Sequence, residues 1–275
     1  MPNSNKYIMD DPREARRLEG KVNSADWINK YFRRISNTGN VTLDVGCGPG
    51  TLLDGIKTQY PDQTVVGIDI SHERLSHSCT QNLIYFIQAS GLSLPFPESS
   101  FDSIYTRFLL EYLPDRKQAI EEMYRVCKPG GKVLLQDLDG QLVTNWPIDD
   151  SLASRIVKIA EVLTNTGFDP FVGRKLFSMA TASGLKNIKV SVEPYHLIAG
   201  TATTEQRSQW ELKLDIAHPL IAKALGNEEE ASLFIGQYLE YLDDPNTFTY
   251  SNIVTVVGTK PQITASESSD SRGGP

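Results

Sequence analysis

Gly46, Gly48 and Gly50 alternate along Asp44-Val45-Gly46-Cys47-Gly48-Pro49-Gly50-Thr51, with the acidic residue just ahead of them. Glycines let a backbone turn sharply and approach a ligand with no Cβ in the way. A helix opening at Thr51 would offer its unpaired N–H groups to a negative group. Dinucleotide-binding loops place glycines at positions 1, 3 and 6. Here the third glycine stands at position 5 and Thr51 takes the sixth, so a nucleotide-dependent oxidoreductase is disfavoured. Asp44 would repel a pyrophosphate but can accept from an ammonium group. A ligand with both an amino and a carboxylate group suits that mixture.

The methionine part of S-adenosylmethionine has both groups. Asp69, 19 residues after Gly50, can accept two hydrogen bonds from ribose hydroxyls. Glu111 suits a base or a ligand-orienting carboxylate, and equally a structural acceptor. Tyr112 is as well suited to a pocket wall as to chemistry. His196, in Glu193-Pro194-Tyr195-His196, falls on the ligand side if its strand begins near Lys186. Imidazole has the ordinary pKa best placed for proton transfer near neutrality, although a lone histidine also serves as a hydrogen-bonded structural residue. Asp137 and Asp139 offer one carboxylate to a substrate or shape the turn before Gly140. Arg17 either reaches a cofactor carboxylate or lies on a solvated helix face. Cys47 reads as small-residue filling within the loop. Tyr7, Trp27, Tyr31, Trp146 and Trp210 are core or pocket wall.

Strands must end at one edge to bring these groups together. Residues 41–45, 63–70, 82–89, 102–105 and 132–138 have buried-strand patterns, with helical segments between them. Ser71 and Asp115 are placed to cap two of those helices, and the second shows Ala119, Ile120, Met123 and Val126 on one face. Strand–helix alternation predicts a parallel sheet covered on both faces. Beyond it, 151–163, 171–182, 205–225 and 228–242 read as helical, 186–197 and 247–258 as extended, and 11–35 as helical with a break near Asn23 and Ser24.

The 275 residues include 40% hydrophobic and 22% charged, enough apolar material for a core. The longest aliphatic or aromatic run, Leu83-Ile84-Tyr85-Phe86-Ile87, is far short of the ~20 residues that span a bilayer. Met1 to Asp10 has no basic start leading into an apolar stretch, so no secretory signal is expected. The net charge of −7 and the lack of a long basic patch disfavour a nucleic-acid partner. Cys47, Cys79 and Cys127 are too widely spaced for a disulfide framework or a structural zinc site. A cytoplasmic setting follows as the default.

The motifs together resemble a known family. The loop just described, Gly67-Ile68-Asp69-Ile70, Leu94-Pro95-Phe96-Pro97-Glu98-Ser99-Ser100-Phe101-Asp102, Leu110-Glu111-Tyr112-Leu113-Pro114-Asp115 and Arg125-Val126-Cys127-Lys128-Pro129-Gly130-Gly131 look like class I S-adenosylmethionine-dependent methyltransferases. Within that family the chain is most similar to the methyltransferase type 11 group, which includes quinone C-methyltransferases and natural-product tailoring enzymes. The resemblance covers residues 40–138. It implies an α/β, Rossmann-like seven-stranded sheet, last strand antiparallel, with helices on both faces and a helical lid. It also implies S-adenosyl-L-methionine as cofactor, held by Asp44, Gly46, Cys47, Gly48, Gly50, Asp69, Ile70, Ser90, Gly91, Leu92, Arg107 and Arg17. Ile70 would pack on the adenine. Many relatives carry two histidines after the fourth strand; Glu111 and Tyr112 stand there instead, which leaves Glu111, Tyr112 and His196 as candidate catalytic residues and no metal site.

The expected layout is a helical cap at 1–39, the methyltransferase domain at 40–260 with insertions at about 140–185 and 200–245, and a disordered tail at 261–275. The expected activity is methylation of N, O or C on a small molecule, with a homodimer admitted. The alternatives are a catalytically weak cofactor-binding regulator and a quinone-biosynthesis C-methyltransferase.

Overall fold

The structure is a computed structural model that describes residues 23–36, 39–76 and 83–262. Tyr7, Arg17, Cys79 and the polar segment 263–275 lie outside the described residues, as does the helical reading before Asn23. Short aliphatic runs form the inner strands: β1 (Val41–Val45), β2 (Thr64–Asp69), β3 (Ile84–Gln88) and β4 (Phe101–Arg107). They are followed by β5 (Cys127–Asp139), β6 (Asn145–Trp146), β7 (Lys186–Ala199) and β8 (Phe248–Thr259). The sheet order is β3-β2-β1-β4-β5-β8-β6, with β7 also paired to β8. β1 to β5 run parallel, and β8 runs antiparallel to both β5 and β7. The expected seven strands are therefore joined by a two-residue eighth, β6, which pairs with the start of β8 through Trp146 and Phe248. β5 starts before Lys132 because Cys127 pairs with Phe101 across a register shift.

Capping residues start the helices where the sequence places them. Asn23 accepts from the Asp26 N–H at the start of α1 (Ser24–Lys30). α2 (Thr51–Gln59) leaves directly from Gly50, and Ser71 Oγ accepts from Arg74 N–H in α3 (His72–Ser76). Asp115 accepts from Gln118 N–H to open α4 (Arg116–Val126), which buries the four apolar residues expected. Strand residues point alternately to opposite faces. One face packs Leu43, Val45, Ile104, Val133 and Leu135 against α4. The other sets Val65, Tyr105 and Leu134 against α1 and α2, with Trp27, Ile28 and Phe32 from the N-terminal side.

α5 (Asp150–Asn165), α7 (Thr204–Leu225) and α8 (Glu228–Asp243) form a separate apolar cluster centred on Trp210, Phe234 and Tyr238. They leave from the ends of β5 and β7 and return to the start of β8, so they cap the edge where the parallel strands end. α6 (Leu176–Ala182) belongs elsewhere. Its Leu176 and Ala180 join the sheet-face core with α4. The segment 140–185 is thus only partly lid, and its last helix is a covering helix of the sheet. The 171–182 reading also shortens, since Gly173–Lys175 is a 3-10 turn before α6 begins. Among the described residues no helix is long and apolar enough to cross a membrane.

Gly50 shows how tightly the loop is built. Its φ is +82°, and a Cβ added there would lie 2.6 Å from the Phe86 ring. Gly50→Ala is expected to lower stability by roughly 1–3 kcal/mol, read as a shift of the urea midpoint; an unchanged midpoint would show that the loop can relax.

Candidate functional site

The glycine loop is pinned to the end of β2. Gly46 and Cys47 N–H groups both donate to the Ile68 carbonyl, at 2.8 and 2.9 Å. Gly48 N–H donates to Asp69 Oδ2 at 3.0 Å, and Ser71 N–H to Asp69 Oδ1 at 2.9 Å. A carboxylate has about four acceptor positions; the Arg74 guanidinium lies 3.8 Å from Oδ2, and the positions left over can serve a ligand. A Cβ on Gly46 would press on Leu109 at 3.0 Å, whereas one on Gly48 would meet nothing within 4 Å. The loop thus leaves open space at Gly48, beside Asp69. Cys47 fills space, as expected: its Sγ lies where a Cβ on Gly67 would need to be, at 2.7 Å. Burial pushes its thiol pKa far up, with Asp44 and Asp69 adding to the shift, so it stays protonated.

Ile70 is 65% exposed although apolar, a face that a ligand ring can cover. Ser90, Gly91 and Leu92 form the turn after β3, with Leu92 N–H donating to Ser90 Oγ at 3.2 Å. That turn and Ile70 border the same end of β2 and β3.

Register brings the charged groups together. Asp44 pairs with Tyr105, Tyr105 with Leu134, and Arg107 with Gln136 across β1, β4 and β5. Asp44, Tyr105, Arg107 and Gln136 therefore all project to the α1 face, within one turn of the strand ends. Burial pushes the Asp44 carboxyl up to about 7; the adjacent Tyr105 hydroxyl and Arg107 pull it down, and Asp69 pushes it up. The Tyr105 hydroxyl is sealed from water beside that carboxyl. Arg107 is half-buried, and burial lowers its guanidinium pKa. Its Nε donates to Gln136 Oε1 at 3.2 Å, and the guanidinium lies 3.9 Å above the Phe108 ring. Gln136 Oε1 also accepts from Trp27 Nε1 at 2.7 Å, and its Nε2 donates to Thr255 Oγ1 at 2.7 Å. Gln136 and Tyr105 escaped the sequence reading. The available signal was a glutamine directly after the run Val133-Leu134-Leu135 within one strand pattern, and the structure buries it fully.

The opposite face of β5 carries Asp137. Its carboxylate accepts from the N–H groups of Leu138 (2.9 Å) and Glu111 (3.2 Å), which pins the turn Leu110–Tyr112 to the sheet. Glu111 is buried, and its carbonyl accepts from Asp169 N–H at 2.7 Å. Asp139 grips the Arg174 guanidinium with both carboxylate oxygens, so it ties the chain after the cap rather than facing a substrate. The Tyr112 ring packs 5.2 Å from Phe168 and borders an apolar cavity of about 90 Å³. Leu142, Leu163, Leu214 and Ile221 complete its walls. His196 stands near the end of β7, which runs parallel to β5 and so ends at the same edge of the sheet.

The donor set fits S-adenosylmethionine. A carboxylate with acceptor capacity to spare faces space at Gly48, a buried hydroxyl stands beside a buried carboxylate, and a half-buried guanidinium has one hydrogen-bond partner among the described residues. Complementary charges for an ammonium and a carboxylate thus stand on adjacent strands.

Comparison with known proteins points the same way. Residues 43–135 match the family described as a methyltransferase domain. An uncharacterized methyltransferase of Schizosaccharomyces pombe is 29% identical over 74% of this chain and 75% of its own length. The demethylmenaquinone methyltransferase of Lactobacillus johnsonii is 34% identical over 39% of this chain; the chain spans about half of that relative, 48%. The fold is shared with Haemonchus contortus phosphoethanolamine N-methyltransferase 2, solved with phosphomonomethylethanolamine and S-adenosylhomocysteine. Its TM-score is 0.57 at 17% identity, over 95% of this chain and 61% of that one.

Burial also pushes the Asp137 carboxyl up to about 7, against the pull of the backbone N–H groups and Arg107. An unfolded aspartate titrates near 3.9. Between those values the folded chain holds a proton that the unfolded chain releases, so this group's stabilisation is full at low pH and is lost as pH rises through about 7. Asp137→Asn is expected to lose less stability than the wild type between about pH 5 and pH 8 in urea titrations. Equal losses would show that Asp137 does not titrate there.

Proposed function

We propose that the chain is a class I S-adenosylmethionine-dependent methyltransferase, a reading supported by the methyltransferase-domain match over residues 43–135, and that its acceptor is a small molecule whose apolar body lies under the α5–α7–α8 cap. One observation supports this most directly: the polar site at Asp44 and Arg107 and the apolar cavity at Tyr112 open on the same strand edge. Bound at that edge, S-adenosylmethionine supplies a methyl group activated by its sulfonium. The chain supplies alignment and a dry site.

Asp44 accepts from the cofactor's ammonium, and Arg107 donates two parallel N–H groups to its carboxylate, the geometry a guanidinium favours. Asp69 uses its remaining acceptor positions for the ribose hydroxyls. Gly46, Gly48 and Gly50 let the backbone come close, while Ile70, Ser90, Gly91 and Leu92 receive the adenine. Tyr112 and Phe168 wall the acceptor. The cap shields the reacting groups from water, which strengthens every charge interaction inside.

The acceptor itself is chosen by the cap. The matched family ends at residue 135, before the cap begins, so the substrates of the quinone methyltransferases do not transfer to this chain with the domain. A cytoplasmic location and assembly as a homodimer remain part of the reading and are tested by fractionation and by light scattering.

Calorimetry with S-adenosylhomocysteine tests the site. Asp69→Ala is expected to weaken binding by about 1.5–3 kcal/mol, and an unchanged dissociation constant removes Asp69 from the cofactor site. NAD should give no heat; strong NAD binding with no S-adenosylhomocysteine binding overturns the whole reading. Because the Asp44 carboxyl sits at about 7, wild-type affinity should fall as pH drops below that value, when the ammonium meets a neutral carboxyl. Asp44→Asn should bind weakly at every pH and lose most of that dependence. A wild-type affinity that is flat with pH would count against the ammonium contact.

A further inference from the structure

β7 closes one side of the sheet: it pairs with β8, and among the described residues no strand lies on its outer side. Its register with β8 is regular from Lys189 to Tyr195 and shifts at both ends of that stretch, where Asn187 and His196 take φ values of +52° and +50°. Such irregularities bend a strand and end its pairing, so one straight length of edge is left between them. A bare edge presents backbone N–H and C=O groups that a further strand can take up. Val190 pairs with Val256 and Val192 with Val254, and residues directly opposite in a ladder share a face. Val254 and Val256 are buried with Leu176 and Ala180 of α6. Val190 and Val192 stand beside them on that face, 48% and 58% exposed.

The other face of the same segment is polar. Glu193 accepts from Lys30, and Ser191 Oγ accepts from Arg34 Nη1 at 3.1 Å, both from the N-terminal side. Lys189, on that face too, is exposed. A strand added to this edge must match both faces at once, and a slip of one residue would turn every side chain over. The segment itself supplies the match. Run antiparallel about a two-fold axis at Ser191, two copies of β7 set Val190 against Val192, Ser191 against Ser191 and Lys189 against Glu193. An axis at Val190 or at Val192 keeps the faces but sets Lys189 opposite Ser191 or Tyr195 instead. Opposite charges directly across a ladder stabilise it, so the axis at Ser191 is the one the charges select.

We propose that this edge is where two copies of the chain join, β7 on β7, antiparallel about Ser191. The proposal gives the homodimer of the reading above its surface and rests on that reading. Val190 lies against the second copy's Val192 and the reverse, which takes the exposed apolar strip out of water. Glu193 gains the second copy's Lys189 beside its own Lys30. A two-fold contact of one edge with itself uses that edge up, so the assembly stops at two. Pairing over so short a stretch makes a small interface, and a dimer in the micromolar range follows.

Sedimentation velocity of the full chain at micromolar concentrations reads the assembly. A dimer is expected; a monomer throughout overturns the proposal together with the homodimer reading. Ser191→Cys reads the register. Under mild oxidation it should cross-link two copies well beyond the wild type, since the residue on the axis faces itself at ~4.5–5.5 Å between Cβ atoms, close to disulfide reach. Val190→Cys and Val192→Cys should cross-link to each other when mixed, and less readily when each is alone. A wild type that dimerises while none of these variants cross-links overturns the proposal and leaves the homodimer reading standing. Val192→Lys should be monomeric, and Lys189→Glu should weaken the dimer about tenfold, by setting like charges opposite each other twice. Far-UV circular dichroism checks that each variant is folded. Wild-type dimerisation in a folded Val192→Lys overturns the proposal.

Discussion

A guanidinium drawn partly out of water needs partners, and among the described residues Arg107 makes one hydrogen bond. The surroundings hold that charge in place without neutralising it. Gln136 receives the Nε proton and is itself fixed by Trp27 and Thr255. Phe108 supplies a ring face. Asp44 and Asp137 lend a field from the two faces of the sheet, yet burial raises both their pKa values to about 7. A partly enclosed charge left in this condition is costly unless a ligand completes it. The edge where β1, β4 and β5 end is built to be finished by an anionic group next to a cationic one.

That constraint explains why the N-terminal helix matters. α1 does more than cover apolar surface, since Trp27 packs 5.0 Å from the Tyr105 ring and reaches Gln136. The same helix is tied to β7 by the Lys30–Glu193 ion pair and by Arg34 to Ser191 Oγ at 3.1 Å. The helix, the central strands and the strand bearing His196 thus form one frame around the site. The cap is a different kind of structure, with its own apolar core. On the proposed function a division of labour follows: the sheet edge would hold the cofactor, and the cap would shape the acceptor's space.

Local signals were legible in the sequence. The glycine loop, Asp44, Asp69 and the Asp115 cap each declare themselves through neighbours a few residues away, and the structure places each at its expected element. What escaped depends on register and on distant partners. Gln136 acquires its role from Trp27, 109 residues earlier, and from Thr255, 119 residues later. His196 Nδ1 meets Ser251 Oγ, 55 residues on, at a bulge that no local pattern announces. α6 has the composition of a lid helix, but its position follows from Leu176 and Ala180 meeting the sheet core. Asp139, which the sequence leaves as a substrate-facing or turn-forming carboxylate, is closed on by Arg174 from 35 residues away.

The central claim is that Arg107 and Asp44 complete their charges on the amino-acid end of the cofactor. A crystal structure of the chain with S-adenosylhomocysteine tests it most directly. The expected result shows the ligand carboxylate bridged by the Arg107 guanidinium, its amino group on Asp44, and its ribose hydroxyls on Asp69. A bound ligand whose carboxylate lies elsewhere, with Arg107 still lacking a partner beyond Gln136, would contradict it.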